Sequence, residues 1–247
     1  LKATAIVPVK SFGAAKRRLA AGIEDERREA LVEAMLEDVL GAIAAARSIE
    51  RTIVVSDEPR AAEVAGAAGA EVIADPGEID RPGLGRARAV DARRSGSGAT
   101  GAVDGEESGS RSGGHSHAAL AGITHAEELG AACVVLLPGD CPLLEPRELD
   151  RLLTGLPAHY VAIVPDRHGT GTNALVLTPP SAIRPAFGEG SCGRHVAAAR
   201  EAGVPFAVEE LPSLGLDLDT PADVVALTRE LESGRGRAKR TARVLGL

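Results

Sequence analysis

Aromatic side chains are almost missing from this chain: its 247 residues include no Trp, one Tyr and three Phe. Proteins that hold single-stranded nucleic acid stack bases on aromatic faces, so the low aromatic count argues against that role. Positive charge is in deficit as well. A formal net charge of −7 and a pI near 5.5 argue against nucleic acid or an anionic membrane as partner. Cysteine is scarce, and Cys133, Cys141 and Cys192 are odd in number and widely spaced. Without a C-x-x-C pair they form neither a disulfide framework nor a thiolate zinc site, which fits free thiols in a reducing compartment. No apolar run reaches the length of a membrane span, and the start reads as a strand near Ala3 rather than a leader. The expected location is therefore the cytoplasm. Three nucleotide and hydrolase signatures are also absent: the Walker A loop, the Rossmann G-x-G-x-x-G and the G-x-S-x-G elbow.

What the chain has is small aliphatic residues. Hydrophobic residues are 44% of the total, mostly Ala, Val, Leu and Ile, and they fall in short runs. Strands are expected at Ala3–Val9, Thr52–Ser56, Glu71–Ala74, Cys133–Leu137, Tyr160–Val164 and Ala174–Thr178. Several lack polar alternation, as strands covered on both faces do. Between them, Asp25–Ala45 places Leu31, Val32, Met35, Leu36, Val39, Leu40 and Ile43 on one helical stripe. Further helices are expected at Pro59–Ala68, Pro146–Leu153, Cys192–Ala202 and Pro221–Leu231. This alternation predicts a three-layer α/β domain with a mostly parallel sheet over residues 1–233. The Gly-, Ser-, Ala- and Arg-rich stretch 81–114 breaks it and reads as a flexible insertion, with His115 and His117 beside it facing solvent. Residues 234–247 read as a basic, partly frayed tail.

Four constellations can carry chemistry. After the first strand, Lys10, Lys16, Arg17 and Arg18 surround Gly13, where ligands of open α/β sheets bind. Cations there can meet a triphosphate; the plain reading is a solubilising cluster. The run V-V-L-L-P-G-D-C-P sets Asp140 at a strand's carboxyl end, suited to Mg²⁺ or to capping the next helix. In L-D-L-D-T-P, Asp217 and Asp219 lie two apart and share one face of an extended chain. Two carboxylates so placed repel unless a cation lies between them, although Asp219 or Thr220 also suits a helix cap. Finally, D-R-H-G-T-G-T-N-A-L and F-G-E-G-S-C-G-R-H are donor-rich turns. Asn173 and Ser191 can hydrogen-bond an acid, and Arg194 or His195 can neutralise it, against the alternative of ordinary turn chemistry.

The order V-P-V-K…A-K-x-R-L, L-x-P-G-D-x-P-L-L, G-T-N-A-L, F-G-x-G-S-x-x-R-H and L-D-L-D-T-P-x-D resembles the CofC/FbiD family, over about residues 3–230 apart from the insertion. Its members are guanylyltransferases of coenzyme F420 biosynthesis acting on 2-phospho-L-lactate or phosphoenolpyruvate. The resemblance implies a doubly wound nucleotide-diphospho-sugar transferase fold, GTP as substrate and a phosphorylated acid as acceptor, with a homodimer as the assembly suggested by the family. It implies that Asp140, Asp217 and Asp219 hold Mg²⁺, and that Thr172, Gly188 and Ser191 bind the acid, with Asn173 beside them. It sets Lys10, Lys16 and Arg18 in the loop facing nucleotide phosphates. The sequence departs from the pattern at S-H-A-A-L, where relatives carry a G-L-N-x-A-L-like segment near the nucleotide. Phosphoenolpyruvate, 2-phospholactate and 3-phosphoglycerate all remain open as acceptor, with phosphoenolpyruvate favoured by the bacterial-looking composition. The rival readings are a molybdopterin or sugar-phosphate nucleotidyltransferase of the same fold, and a non-catalytic nucleotide-binding protein.

Overall fold

Short runs of Val, Ile, Leu and Ala between turn residues leave the chain little choice but strands that bury both faces. The computed structural model describes residues 2–13, 24–77, 109–234 and 238–247, with backbone alone for 109–115. Its strands are β1 (Ala3–Pro8), β2 (Ile49–Val55), β3 (Glu71–Ile73), β4 (Val134–Leu136), β5 (Tyr160–Pro165), β6 (Thr172–Thr178) and β7 (Phe206–Val208). They form one seven-stranded sheet in the order β3-β2-β1-β4-β6-β5-β7. Strands β1, β2, β3 and β4 pair in parallel, as do β5 and β7, and β6 runs antiparallel to both of its neighbours. β7 was not expected from the sequence: three residues with Val208 half exposed carry too little apolar signal.

The strands alternate between two cores with period two. Ala5, Val7, Val54, Val135, Leu137, Ala162, Val164, Ala174 and Val176 belong to one. Ile6, Ile53, Val55, Val134, Leu136, Val161, Ile163, Leu175 and Leu177 belong to the other. Helices α1 (Asp25–Ala45), α2 (Pro59–Ala67) and α4 (Pro146–Leu152) contribute to the first core. Helices α3 (Gly109–Glu128) and α5 (Ser191–Glu201) contribute to the second, which completes the three layers. All seven residues of the α1 stripe are buried. Each large aliphatic side chain so covered contributes roughly 1.5–3 kcal/mol, which is how a core without aromatics holds. Among the described residues no helix is long and apolar enough to cross a membrane.

α3 starts at Gly109, so the span read as an insertion ends in helix; most of that span, residues 81–108, lies outside the described residues. α3 lies very close to the sheet. A Cβ on Gly122 would fall 2.4 Å from Ile6 Cγ2 and 3.1 Å from Val55 Cγ2.

The expected frayed tail is corrected. Beyond residues 235–237, which lie outside the described residues, the chain forms α7 (Lys239–Leu245) against α1, after α6 (Pro221–Glu232). Buried Asp38 accepts hydrogen bonds from the backbone N–H groups of Arg240 (3.1 Å) and Thr241 (2.8 Å), capping α7. Arg240 Nε pairs with Glu37 at 3.0 Å, and Arg27 donates to the carbonyl of Val244 at the far end. Arg240, one of the basic residues that suggested a solvated end, is paired by α1.

Gly122→Val should lower unfolding free energy by about 1–3 kcal/mol, because the added atoms have no space against Ile6. Gly41→Ala, on the exposed side of α1 with nothing within 4 Å, should instead raise it by about 0.5–1 kcal/mol. Urea melts of both variants check the pair; equal effects would mean that α3 does not approach the sheet as described.

Candidate active site

Strand order turns back on itself between β1 and β4: the chain goes from β1 outward to β2 and β3, then crosses to β4. Ligands of open α/β sheets bind at such a reversal, over the carboxyl ends of the strands. On one side of it, β1 leads to exposed Lys10, and the turn after it is held by buried Phe12. Phe12 donates its N–H to Glu58 Oε2 at 3.0 Å, and the Arg60 guanidinium lies 5.5 Å over its ring. On the other side, β4 leads to Pro138, Gly139 and Asp140. These two loops touch: a Cβ on Gly139 would be 3.5 Å from Val9 Cγ2.

A third segment joins them. The Leu218 N–H donates to the Asp140 carbonyl at 3.4 Å, and the Leu214 carbonyl accepts from Asn173 Nδ2 at 2.6 Å and from Cys141 Sγ at 3.8 Å. Leu216 and Leu218 are buried, while Asp217 is half-buried and Asp219 exposed. The alternation expected of L-D-L-D is therefore present, with the acids on the outer face. The cap of α6 is Thr220. Buried Asp223 shapes this turn, accepting from the N–H groups of Asp219 (3.0 Å) and Thr220 (2.7 Å) and from the Thr220 hydroxyl (2.9 Å), and pairing with Arg167. Among the described residues, no three His, Cys, Asp or Glu side chains form a group able to hold a metal. The donors nevertheless suit Mg²⁺, a hard cation that takes one or two carboxylates and completes its shell with water and phosphate oxygens.

The antiparallel strand supplies the turn that carries Thr172 and Asn173. Leu136 of β4 pairs with Leu175 of β6, and Pro165 of β5 with Thr172, so β6 starts where its neighbours end. Thr172 and Asn173 thereby reach the same edge as Asp140. The turn before them is built on Asp166, which accepts from the N–H groups of His168 (3.0 Å), Thr170 (2.9 Å) and Gly171 (2.8 Å). Burial alone would raise the Asp166 carboxyl; these donors outweigh it and hold it below the ordinary 3.8. Cys192 N–H then donates to the Thr170 carbonyl at 3.1 Å, joining this turn to the start of α5.

Gly188 precedes α5 with φ of 109°, a conformation that L side chains rarely adopt, and its carbonyl accepts from Ser191 N–H. Ser191 is buried, and its hydroxyl has no hydrogen-bond partner among the described residues. His195 is fully buried. Its Nε2 lies 2.9 Å from the Ala186 N–H, its Nδ1 3.0 Å from Thr172 Oγ1, and the Phe187 ring meets it edge-on at 5.3 Å. Burial, with the neighbouring Arg194 charge, lowers its pKa from 6.5 to about 4.

Asp140, Asp217, Asp219, Thr172 and Asn173 are thus brought to one edge with Lys10, and Gly188 and Ser191 adjoin Thr172 through His195. Lys16 and Arg18 lie outside the described residues. Two expected roles are corrected. His195 is buried and neutral near pH 7, so it cannot neutralise an acid. Arg194 turns its guanidinium onto the carbonyls of Ala186 (3.0 Å) and Phe187 (3.2 Å), holding its own loop. Asn173 gives its amide N–H to Leu214, so it braces the acidic segment. His117, expected in solvent, is half-buried with Nδ1 unpartnered. The supporting roles of Asp166, Arg167, Asp223 and Ser116, which accepts from Phe187 N–H at 3.1 Å, were not read from the sequence. The T-x-x-D spacing of Thr220 and Asp223 was the one available signal.

A pH dependence follows from His195. Above pH 6.5 the folded and unfolded chains both hold it neutral. As pH falls from there toward about 4, the unfolded chain binds a proton that the folded chain refuses, and stability drops by roughly 3 kcal/mol in total. Relative to His195→Leu, the native protein should therefore lose part of its stability advantage between about pH 7 and about pH 4.5. Denaturant melts at both pH values check this; a constant difference would mean that His195 titrates normally.

The family model described as guanylyl transferase CofC like matches residues 3–83 and 117–240, passing over a span that largely coincides with the compositionally odd stretch. A phosphoenolpyruvate guanylyltransferase of Conexibacter woesei is 40% identical over 244 residues, 98% of this chain and 94% of its own length. A 3-phospho-D-glycerate guanylyltransferase of Phenylobacterium zucineum is 36% identical, covering 92% and 90%. In fold, a nucleotidyl transferase from Methanothermobacter aligns with a TM-score of 0.56 at 18% identity, over 94% of this chain and 99% of its own. On these matches, over most of its length, the chain belongs to the CofC-like guanylyl transferase family.

Proposed function

We propose that this protein is a cytoplasmic guanylyltransferase that joins GMP from GTP to phosphoenolpyruvate, with Mg²⁺, as a step of coenzyme F420 biosynthesis. The observation that carries this reading is the shared edge. β6, reversed between β4 and β5, sets Thr172 beside the Asp140 loop, so an acid at the one lies next to a nucleotide at the other. The choice of acceptor is supported by relatives named for phosphoenolpyruvate in Conexibacter woesei and Sphaerobacter thermophilus.

The reaction is one in-line displacement. An oxygen of the acceptor phosphate forms a bond to the α-phosphorus of GTP, and the bond to the bridging α–β oxygen breaks. Pyrophosphate leaves with that electron pair. The attacking phosphate is already ionised near neutral pH, so no general base is needed. Bringing two anions together is the main obstacle. When bound, Mg²⁺ would be held by Asp140 with Asp217 and Asp219 and would neutralise phosphate charge. Lys10, with Lys16 and Arg18 a few residues further along the sequence, adds positive charge on the nucleotide side. Thr172, the Gly188 turn and the unpartnered Ser191 hydroxyl bind the acid. Ser191 sits in the first turn of α5, where N–H groups and the helix dipole favour anions.

Pyrophosphate release with GTP and Mg²⁺ should be measured with phosphoenolpyruvate, 2-phospholactate and 3-phosphoglycerate in separate runs, reading product mass alongside. Release with phosphoenolpyruvate, and a product of that acid joined to GMP, is the expected result. Release only with 3-phosphoglycerate would move the acceptor to the acid named for the Phenylobacterium relative. No release with any acid would sink the reading.

In the same assay Asp140→Asn and Asp219→Asn should each reduce kcat by about 100-fold or more with the fold intact. Ser191→Ala should raise KM for the acid by roughly 10-fold while leaving KM for GTP within about 2-fold. Equal effects on both substrates would remove Ser191 from the acid site.

A further inference from the structure

One buried group has contacts on both sides of the acid site and no part in the displacement. His195 lies between the first residue of β6 and the turn that carries Gly188. Its ring is fully buried, packed edge-on to Phe187. The Ala186 N–H points at Nε2 across 2.9 Å. A backbone amide can only donate, so Nε2 must present a lone pair. An imidazolium or an Nε2–H tautomer would set two protons against each other there. The ring is therefore neutral with its proton on Nδ1, and Nδ1–H donates to Thr172 Oγ1 at 3.0 Å.

That direction has a consequence for Thr172. A hydroxyl that accepts from His195 has its own proton left to donate elsewhere. We propose that His195 is a positioning residue that fixes the polarity of the Thr172 hydroxyl, making it a donor toward an oxygen of the phosphorylated acid. A group held as a donor favours an anionic oxygen and disfavours a ligand that presents N–H or O–H at that point. The same ring fixes the distance between Thr172 and the Gly188 turn, so one side chain sets both the polarity and the width of the acid site.

Neighbouring contacts hold the ring in this state. Arg194, whose charge acts on the ring, donates to the Ala186 and Phe187 carbonyls, and Ser116 of α3 accepts from the Phe187 N–H. The turn that aims the Ala186 amide is thus held from two sides. The low basicity of the buried ring agrees with a permanently neutral form.

The inference rests on the acid-binding role given to Thr172 above, and its test separates the two. Protein carrying ¹⁵N-labelled histidine should be studied by two-bond ¹H–¹⁵N correlation, with the His195 signals assigned by their loss in His195→Asn. The six histidines make the spectrum tractable. The expected result is a protonated Nδ1 and a bare Nε2 from about pH 8 down to about pH 5.5. A protonated Nε2, or a doubly protonated ring at neutral pH, overturns the proposal whatever the enzyme's activity.

Steady-state kinetics then test the consequence. His195→Leu should raise KM for the acid by about 10-fold and leave KM for GTP within about 2-fold. In Thr172→Val, which keeps the shape and removes the hydroxyl, adding His195→Leu should cause little further loss, because the group that His195 orients is gone. Full additivity of the two changes, or equal loss of affinity for both substrates, would make His195 a packing residue and overturn its positioning role. If the unmodified enzyme turns over no phosphorylated acid, the acid-site reading fails, and the tautomer measurement still decides the direction of the Thr172 bond.

Discussion

The site depends on one strand running the wrong way. Hydrogen-bond register in an antiparallel pair aligns the start of one strand with the end of its neighbour. By entering between β4 and β5 in reverse, β6 delivers Thr172 and Asn173 to the edge where the parallel strands deliver Asp140 and Lys10. A parallel β6 would carry these residues to the opposite edge of the sheet, some 20 Å away at the usual rise per residue. The two groups of candidate site residues are therefore neighbours through sheet topology, not through sequence proximity.

Around that edge, much of the support is backbone caught by buried or half-buried side chains. Asp166 gathers N–H groups of its own turn, Asp223 those of the segment carrying Asp219, and Asn173 the Leu214 carbonyl. Asp166 and Asp223 both lie below the ordinary carboxylate pKa: burial pushes the other way, and the donors win. Each is thus ionised and fully engaged at neutral pH, which keeps the loops rigid before substrate arrives. Rigid loops spare binding energy that would otherwise go to ordering them. Asp140, Asp217 and Asp219 lie along the same edge, and among the described residues they form no group of three able to hold a metal by themselves.

Family membership and fold were legible in the residues because both are written in local patterns. The L-x-P-G-D, G-T-N-A-L and L-D-L-D-T-P runs carry turn chemistry and strand ends within a few residues, and the α1 stripe declares its helix by period. What the sequence concealed were elements whose stability comes from elsewhere. β7 exists because β5 offers it a paired edge, with Val161 to Ile163 facing Phe206 to Val208. α7 exists because Asp38, some 200 residues earlier in the chain, caps its first turn. A count of Arg and Lys in the tail has no access to an acid on a different helix.

His195 shows the same division inside the site. Its place in F-G-E-G-S-C-G-R-H marked it as a residue able to meet an anion, and its chemistry by itself allowed nothing sharper, because histidine near neutral pH can be cation, donor or acceptor. Local sequence determined the strand and helix pattern, the acid pair on one face and the donor-rich turns, since each depends on spacing along a few residues. Which strand reverses, which acids brace loops, and which groups the two nitrogens of His195 meet were decided only by tertiary structure. Each of those depends on burial and on partners that the chain brings together from far apart, and desolvation acts on the assembled environment, not on the residue alone.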